Sequence, residues 1–307
     1  MRNLTAALCA ALVLFACSKQ DTAPAPAAAP VSGGRDEAAE GAPHLAIAPD
    51  GVHVQYRVYG HGEPTLVFIH GWSCDSNYWR EQIPVFKQKY TLVTVDLAGH
   101  GGTDGNRNDW SMARFGDDVA TAMAVVPAQQ IILVGHSMGG PVAVVAARKL
   151  GKRVIGIVGV DTFSTIGAPA PSEAQIDAIV KPFEADFIGH TRQLVTEKLF
   201  APDGNHELAN KIAYDMALSP PRVAIPSLRA LFEYNLDAGV RGLSVPVVAI
   251  DSDLGVPVNE TRIHKVLPNF HAVTLKGTGH FLMMEDPKDF NPALETAIQG
   301  LLAPAGS

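Results

Sequence analysis

Five short apolar runs do most to restrict how this chain can fold. They are TLVFIH ending at His70, TLVTVD ending at Asp96, IILVGH ending at His136, VIGIVGVD ending at Asp161 and VPVVAID ending at Asp251. Each is rich in β-branched residues and lacks the polar alternation of a half-exposed strand. Continuous runs of this length suit strands buried on both faces, as in a parallel sheet. VHVQYRV, from Val52, alternates with period two and reads as a half-exposed strand, and HAVTLKG, from His271, closes the set. Helical patterns fall between them at Met112–Val126, Gly140–Leu150, Asn259–Leu267 and Pro287–Leu302. Strand alternating with helix predicts an α/β fold, a mostly parallel central sheet with helices on both faces.

One stretch breaks the alternation. From about 163 to 245 there is no strong strand pattern, only amphipathic stretches around Glu173–Phe187, Thr191–Phe200, Asn205–Leu218 and Ile225–Leu236, punctuated by prolines. A helical block between the sixth and seventh strands cannot lie within their sheet. Ligands bind at the carboxyl ends of the strands in open α/β sheets, so this block is expected to be a cap over the site.

The N-terminus has another character. MRNLTAALCAALVLFACSKQ carries Arg2, then an apolar stretch from Leu4 to Ala16. That stretch is shorter than the roughly 20 residues that span a bilayer, and it has the size of a secretory core. LFAC resembles a bacterial lipobox, which implies a signal peptide over 1–16, cleavage before Cys17 and lipid on that thiol. Acyl chains bury CH₂ groups at about 0.8 kcal/mol each, enough together for stable anchoring. Ser18 resembles the outer-membrane sorting class, so the expected product is an exported lipoprotein facing the periplasm or cell surface; soluble secretion is the alternative. Residues 17–43 are rich in Ala, Pro and Gly and read as a disordered tether. The folded domain then covers 44–307. Of three cysteines only Cys74 lies in it, so no disulfide framework is expected for a monomer. A net charge of −7 without a Lys/Arg block argues against nucleic acid as a partner.

The run at Ile131 is interrupted by Gly135-His136-Ser137-Met138-Gly139, which fits G-x-S-x-G between a strand and a helix. A strand turning at once into a helix leaves its middle residue strained, and the glycines lack the Cβ atoms that would clash. Ser137 then stands at a helix N-terminus, where developing negative charge is favoured. A serine hydroxyl needs a base, and GTGHFLMMEDP supplies His280 just past the last strand. The imidazole needs an acid to hold its tautomer. The chain order Ser…acid…His favours Asp253; Asp251, at the end of the seventh strand, and Asp161, at the end of the sixth, are the alternatives. In FIHGWSCDSNYW, the Trp72 backbone N–H is expected to form an oxyanion hole with that of Met138. Asp117 and Asp118 read as a solvated helix face, and His100 and His136 as residues outside the chemistry.

With HGW, DLAGHGGTD, GHSMGG and the late GHF, the chain from about Leu45 to Leu302 resembles the capped branch of the α/β-hydrolase superfamily. The resemblance implies acyl transfer to water through an acyl-enzyme on Ser137, His280 and Asp253, without metal or cofactor. It implies a small-molecule substrate, expected to be a carboxylic ester of a small or medium acyl group. Perhydrolase or haloperoxidase, thioesterase, lactonase and C–C hydrolase chemistry remain open on the same residues, and a ligand-binding surface lipoprotein is the non-enzymatic alternative.

Overall fold

The computed structural model describes residues 39–303. The signal-peptide segment, Cys17 and the tether as far as residue 38 lie outside the described residues, as do 304–307. The strands are β1 (Pro43–Ile47), β2 (His53–Tyr59), β3 (Thr65–Ile69), β4 (Thr91–Val95), β5 (Ile131–His136), β6 (Val154–Val160), β7 (Val247–Ser252) and β8 (Phe270–Leu275). They form one sheet in the order β1-β2-β4-β3-β5-β6-β7-β8. β1 and β2 pair antiparallel, β2 is also antiparallel to β4, and all later pairings are parallel. Every residue of β3 and β5 is buried, as their unbroken apolar pattern predicts. Each fully buried Val, Leu, Ile or Phe contributes roughly 1.5–3 kcal/mol relative to exposure.

The helices are α1 (Ile83–Phe86), α2 (Met112–Val125), α3 (Gly139–Leu150), α4 (Glu173–Ala185), α5 (Phe187–Leu194), α6 (His206–Ala217), α7 (Pro221–Glu233), α8 (Leu236–Val240), α9 (Glu260–Ile263), α10 (Leu282–Glu285) and α11 (Pro287–Leu302). The cap helices α4 to α8 come between β6 and β7, where the insertion was expected. Local chemistry starts them: Ser172 and Gln175 form a reciprocal capping box on α4, and Asp186 and Asn205 cap α5 and α6. α5 runs into a π-helical turn, Val195–Leu199.

Two expectations are corrected. The helix expected over Asn259–Leu267 is only the single turn α9, because Leu267 precedes Pro268 and the helical region is disfavoured there. Asp118 is not on a solvated face. It is fully buried, accepts from Arg107 at 2.6 Å and receives the Ala98 amide at 3.0 Å. Burial pushes its carboxyl up to about 6 against the pull of Arg107. α2 packs on more than its apolar stripe because the loop after β4 folds over its polar side. Asp117 keeps the expected character, pairing with Lys149 at 2.6 Å while partly exposed.

Candidate active site

The turn after β5 is tight. Ser137 has φ 51°, a left-handed value unusual for a residue with a side chain. A Cβ on Gly135 would lie 2.2 Å from the Gly139 carbonyl oxygen, and one on Gly139 would lie 2.4 Å from that of Ile69. Neither position tolerates a side chain without moving backbone. Ser137 is locked in this conformation by its own amide, which donates to the Val160 carbonyl at 3.0 Å. Its carbonyl accepts from the Gly140 amide at 2.9 Å and the Thr162 hydroxyl at 2.6 Å. α3 begins two residues later, so the serine sits at a helix N-terminus.

His280 is held on several sides. Its amide donates to the Leu199 carbonyl in the π-helical turn of the cap at 2.8 Å. Its carbonyl accepts from His136 Nε2 at 2.8 Å, and the two rings pack with centroids 4.7 Å apart. The Glu285 carboxylate receives the amides of Gly279 and Phe281 on either side, both at 2.9 Å. Burial raises Glu285 despite these two donors. His136 is buried and driven down to about 3, first by burial and then by the neighbouring His280, so it is neutral. Among the described residues no hydrogen bond joins the Ser137 hydroxyl to the His280 ring; His136, which precedes the serine, lies tilted against the His280 ring. Such catalytic contacts often tighten only when substrate binds.

The carboxylate at His280 is that of Asp161, not Asp253. Asp161 Oδ2 meets His280 Nδ1 at 2.5 Å, while Oδ1 accepts from the Ser252 amide at 2.9 Å and its hydroxyl at 3.0 Å. Burial opposes its charge, but the hydrogen bonds from His280 and Ser252 outweigh that and hold the carboxyl below its ordinary value. A carboxylate can only accept, so Nδ1 carries the proton and Nε2 is left as the basic atom. Asp253 is spent elsewhere: its amide donates to Leu275 at 3.2 Å and its carboxylate accepts the Gly277 amide at 2.9 Å. The loop after β7 is short and folds onto the end of β8, so Asp253 braces the loop leading to His280 instead of meeting the ring. Asp161 needs no long loop. It directly follows β6, the strand beside β5, and φ 49° turns the chain there.

Asp251 is the third aspartate. The register Val160↔Ile250 sets Asp161 and Asp251 side by side at neighbouring strand ends. Asp251 is buried, and neither oxygen has a hydrogen-bond partner among the described residues. Burial, then repulsion from Asp161, pushes it up to about 7; the nearby Thr162 amide offsets only part of this.

Trp72 and Met138 were expected to supply backbone N–H groups to an oxyanion hole. Among the described residues neither the Trp72 nor the Met138 backbone N–H has a hydrogen-bond partner. A Cβ on Gly71 would stand 3.2 Å from the Ser137 Cβ, so the loop after β3 passes directly against Ser137. The Trp72 indole donates to the Ala224 carbonyl of α7 at 2.7 Å and meets Phe183 edge-on at 5.4 Å, tying this loop to the cap. Ser137 and Asp161 open into a cavity of about 580 Å³ under α4 and α7, walled by Pro141, Ile179, Leu231 and Phe232. Among the described residues, Asp161 is the only charged one lining it.

Ser252, His136 and Glu285 are the supporting residues that sequence reasoning missed. Glu285, five residues past His280 in GHFLMME, had the clearest available signal.

Residues 66–293 match the sequence model described as the alpha/beta hydrolase family. The 3-oxoadipate enol-lactonase 2 of Acinetobacter baylyi is 22% identical over 261 residues, covering 81% of this chain and 94% of the relative. A bromoperoxidase structure from Bacillus anthracis superposes with a TM-score of 0.74 at 22% identity, covering 84% of this chain and 100% of that one. An esterase from Rhodococcus sp. superposes with a TM-score of 0.69 at 26% identity, covering 84% and 99%.

Proposed function

This chain belongs to the alpha/beta hydrolase family, and we propose that within it the protein is a serine hydrolase of carboxylic esters with a small or medium, uncharged acyl group. The carrying observation is the strained Ser137 at a strand-to-helix turn, next in sequence to His136, whose ring packs on the His280 that Asp161 holds at Nδ1, 2.5 Å away. In this reading Ser137 Oγ attacks the carbonyl carbon while His280 Nε2 takes its proton. Asp161 keeps the ring in the reactive tautomer and stabilises the imidazolium. The oxyanion accepts from the Trp72 and Met138 N–H groups, each such donor lowering the barrier by roughly 3–4 kcal/mol. His280 then protonates the leaving alcohol, and water repeats the cycle on the acyl-enzyme. No cation lines the cavity among the described residues, which supports an uncharged acyl group, since no such side chain would neutralise a buried carboxylate.

A fluorophosphonate probe and a series of p-nitrophenyl esters of increasing chain length test this. Ser137 becomes labelled, Ser137→Ala does not, and turnover is greatest for short to medium chains. Well-folded protein that neither reacts with the probe nor turns over any ester overturns the reading. Activity only on lactones moves it to the chemistry named for the Acinetobacter relative.

The N-terminal sequence supports a second part of the proposal, export with lipid on Cys17. Metabolic labelling with a palmitate analogue should mark the wild-type chain and not Cys17→Ser.

A further inference from the structure

Glu285 ends α10, and its carboxylate turns back onto the loop that carries His280. Each oxygen takes one amide: Oε2 that of Gly279 and Oε1 that of Phe281, both at 2.9 Å. The amide between them, that of His280, goes to the Leu199 carbonyl at 2.8 Å. Three consecutive N–H groups are thus fixed, and two of them depend on one side chain. The space is closed as well. A Cβ on Gly279 would stand 2.4 Å from the Leu199 carbonyl oxygen and 2.9 Å from Glu285 Oε1.

A carboxylate taken out of water normally has a cation beside it. Among the described residues no Lys or Arg pairs with Glu285. Burial pushes its carboxyl above the ordinary value; the two amides and His280 pull it back, and Asp161 repels it. The other titratable groups around the loop do not supply a positive charge. His136 of β5 is kept neutral, first by burial. Tyr78, whose ring meets Phe281 at 5.8 Å, is a phenol that burial keeps protonated. Asp286, the next residue, is turned to the Asp289 amide. The cation left for this carboxylate to face is the imidazolium of His280. In the proposed reaction that cation forms when the ring takes the Ser137 proton. An interaction that strengthens only on the way to the transition state raises kcat and leaves KM unchanged.

We propose that Glu285 is a positioning residue for His280: it fixes the backbone on both sides of the ring, and its charge, with that of Asp161, stabilises the imidazolium. This rests on the serine-hydrolase reading above and deepens it, giving the base a second carboxylate that holds it through the main chain.

Two variants separate shape from charge. Glu285→Gln keeps the shape, removes the charge and turns an N–H donor toward one of the two amides. Glu285→Asp keeps the charge on a stem too short to span both. With p-nitrophenyl butyrate, Glu285→Gln should lower kcat about tenfold or more and keep KM within about twofold. The acid limb of its kcat/KM profile should move to lower pH by about half a unit or more, because the imidazolium has lost a negative neighbour. Glu285→Asp should lower kcat less and leave the limb in place. Wild-type kcat in Glu285→Gln overturns the proposal, and so does a fall in kcat with an unmoved limb, which reduces Glu285 to packing. If Glu285→Gln does not fold, Glu285→Asp decides: lower kcat at unchanged KM supports the proposal, and wild-type kcat overturns it. Fluorophosphonate labelling of the wild type distinguishes the two failures. If Ser137 is not labelled, the serine-hydrolase reading falls and takes this one with it; if Ser137 is labelled equally fast in the wild type and Glu285→Gln at every pH, only the role of Glu285 falls.

Discussion

The end of β5 and the paired ends of β6 and β7 build the same site by different means. Around Ser137 the constraint is steric: Gly135 lies against the Gly139 carbonyl and Gly139 against that of Ile69 on the neighbouring strand, and no other residue type fits. Around the acid the constraint is remote. Asp161 and Asp251 end adjacent parallel strands at the same level. One receives His280 and both Ser252 donors; the other receives nothing among the described residues. Identical side chains at equivalent positions take opposite charge behaviour because their neighbours differ, and those neighbours are about 90 to 120 residues away in sequence.

The comparison can be broken most severely at the serine. Ser137→Ala should reduce kcat for p-nitrophenyl esters by about a millionfold, as for nucleophile removal in other serine hydrolases; a loss below a hundredfold would remove Ser137 from the chemistry. Next comes the acid. Asp161→Asn should reduce kcat by about 10⁴-fold through the wrong histidine tautomer. Asp253→Asn should cost less than about tenfold, since it loses only a brace on Gly277. A larger loss at Asp253 than at Asp161 would reverse the assignment.

Asp251 sharpens the contrast through pH. Its folded value of about 7 is above that of a free carboxyl, so folding binds its proton more tightly. Its contribution is favourable below the unfolded value and is lost as pH rises through about 7. Asp251→Asn should therefore gain stability over the wild type between pH 4 and pH 8, by at most about 4 kcal/mol. Asp161, held low, has the opposite sign: its contribution is present above its ordinary value and fades as pH falls. Urea unfolding of both variants at pH 5 and pH 8 checks the two slopes, and parallel slopes would refute the difference. The smallest effect is at the cap: Trp72→Phe removes one hydrogen bond to Ala224, worth about 1 kcal/mol of stability by thermal melting.

Much of this was legible in advance. The buried strands announced themselves because residues covered on both faces must be apolar throughout. G-x-S-x-G was legible because all its members fall within five residues, although Gly139 is required by the Ile69 carbonyl of β3. The cap was legible as an interruption of the strand rhythm, although its π-helical turn was not. The aspartate that meets His280 was not the expected Asp253, for a definite reason: Asp161, Asp251 and Asp253 all lie between Ser137 and His280 in the chain, so order cannot separate them. The burial of Asp118 escaped notice because its partner Arg107 sits in a loop without periodicity.

The chain's own pattern was enough to specify a doubly covered parallel sheet, the tight turn that carries Ser137 and a helical block above the strand ends. These show in residues close together in the chain or in burial averaged over a whole strand. Which carboxylate meets His280, which one is pushed up by burial, and which loops the cap grips were settled in three dimensions. Hydrogen bonds act over about 3 Å, and side chains that meet at such distances across neighbouring strands can be a hundred residues apart along the polymer.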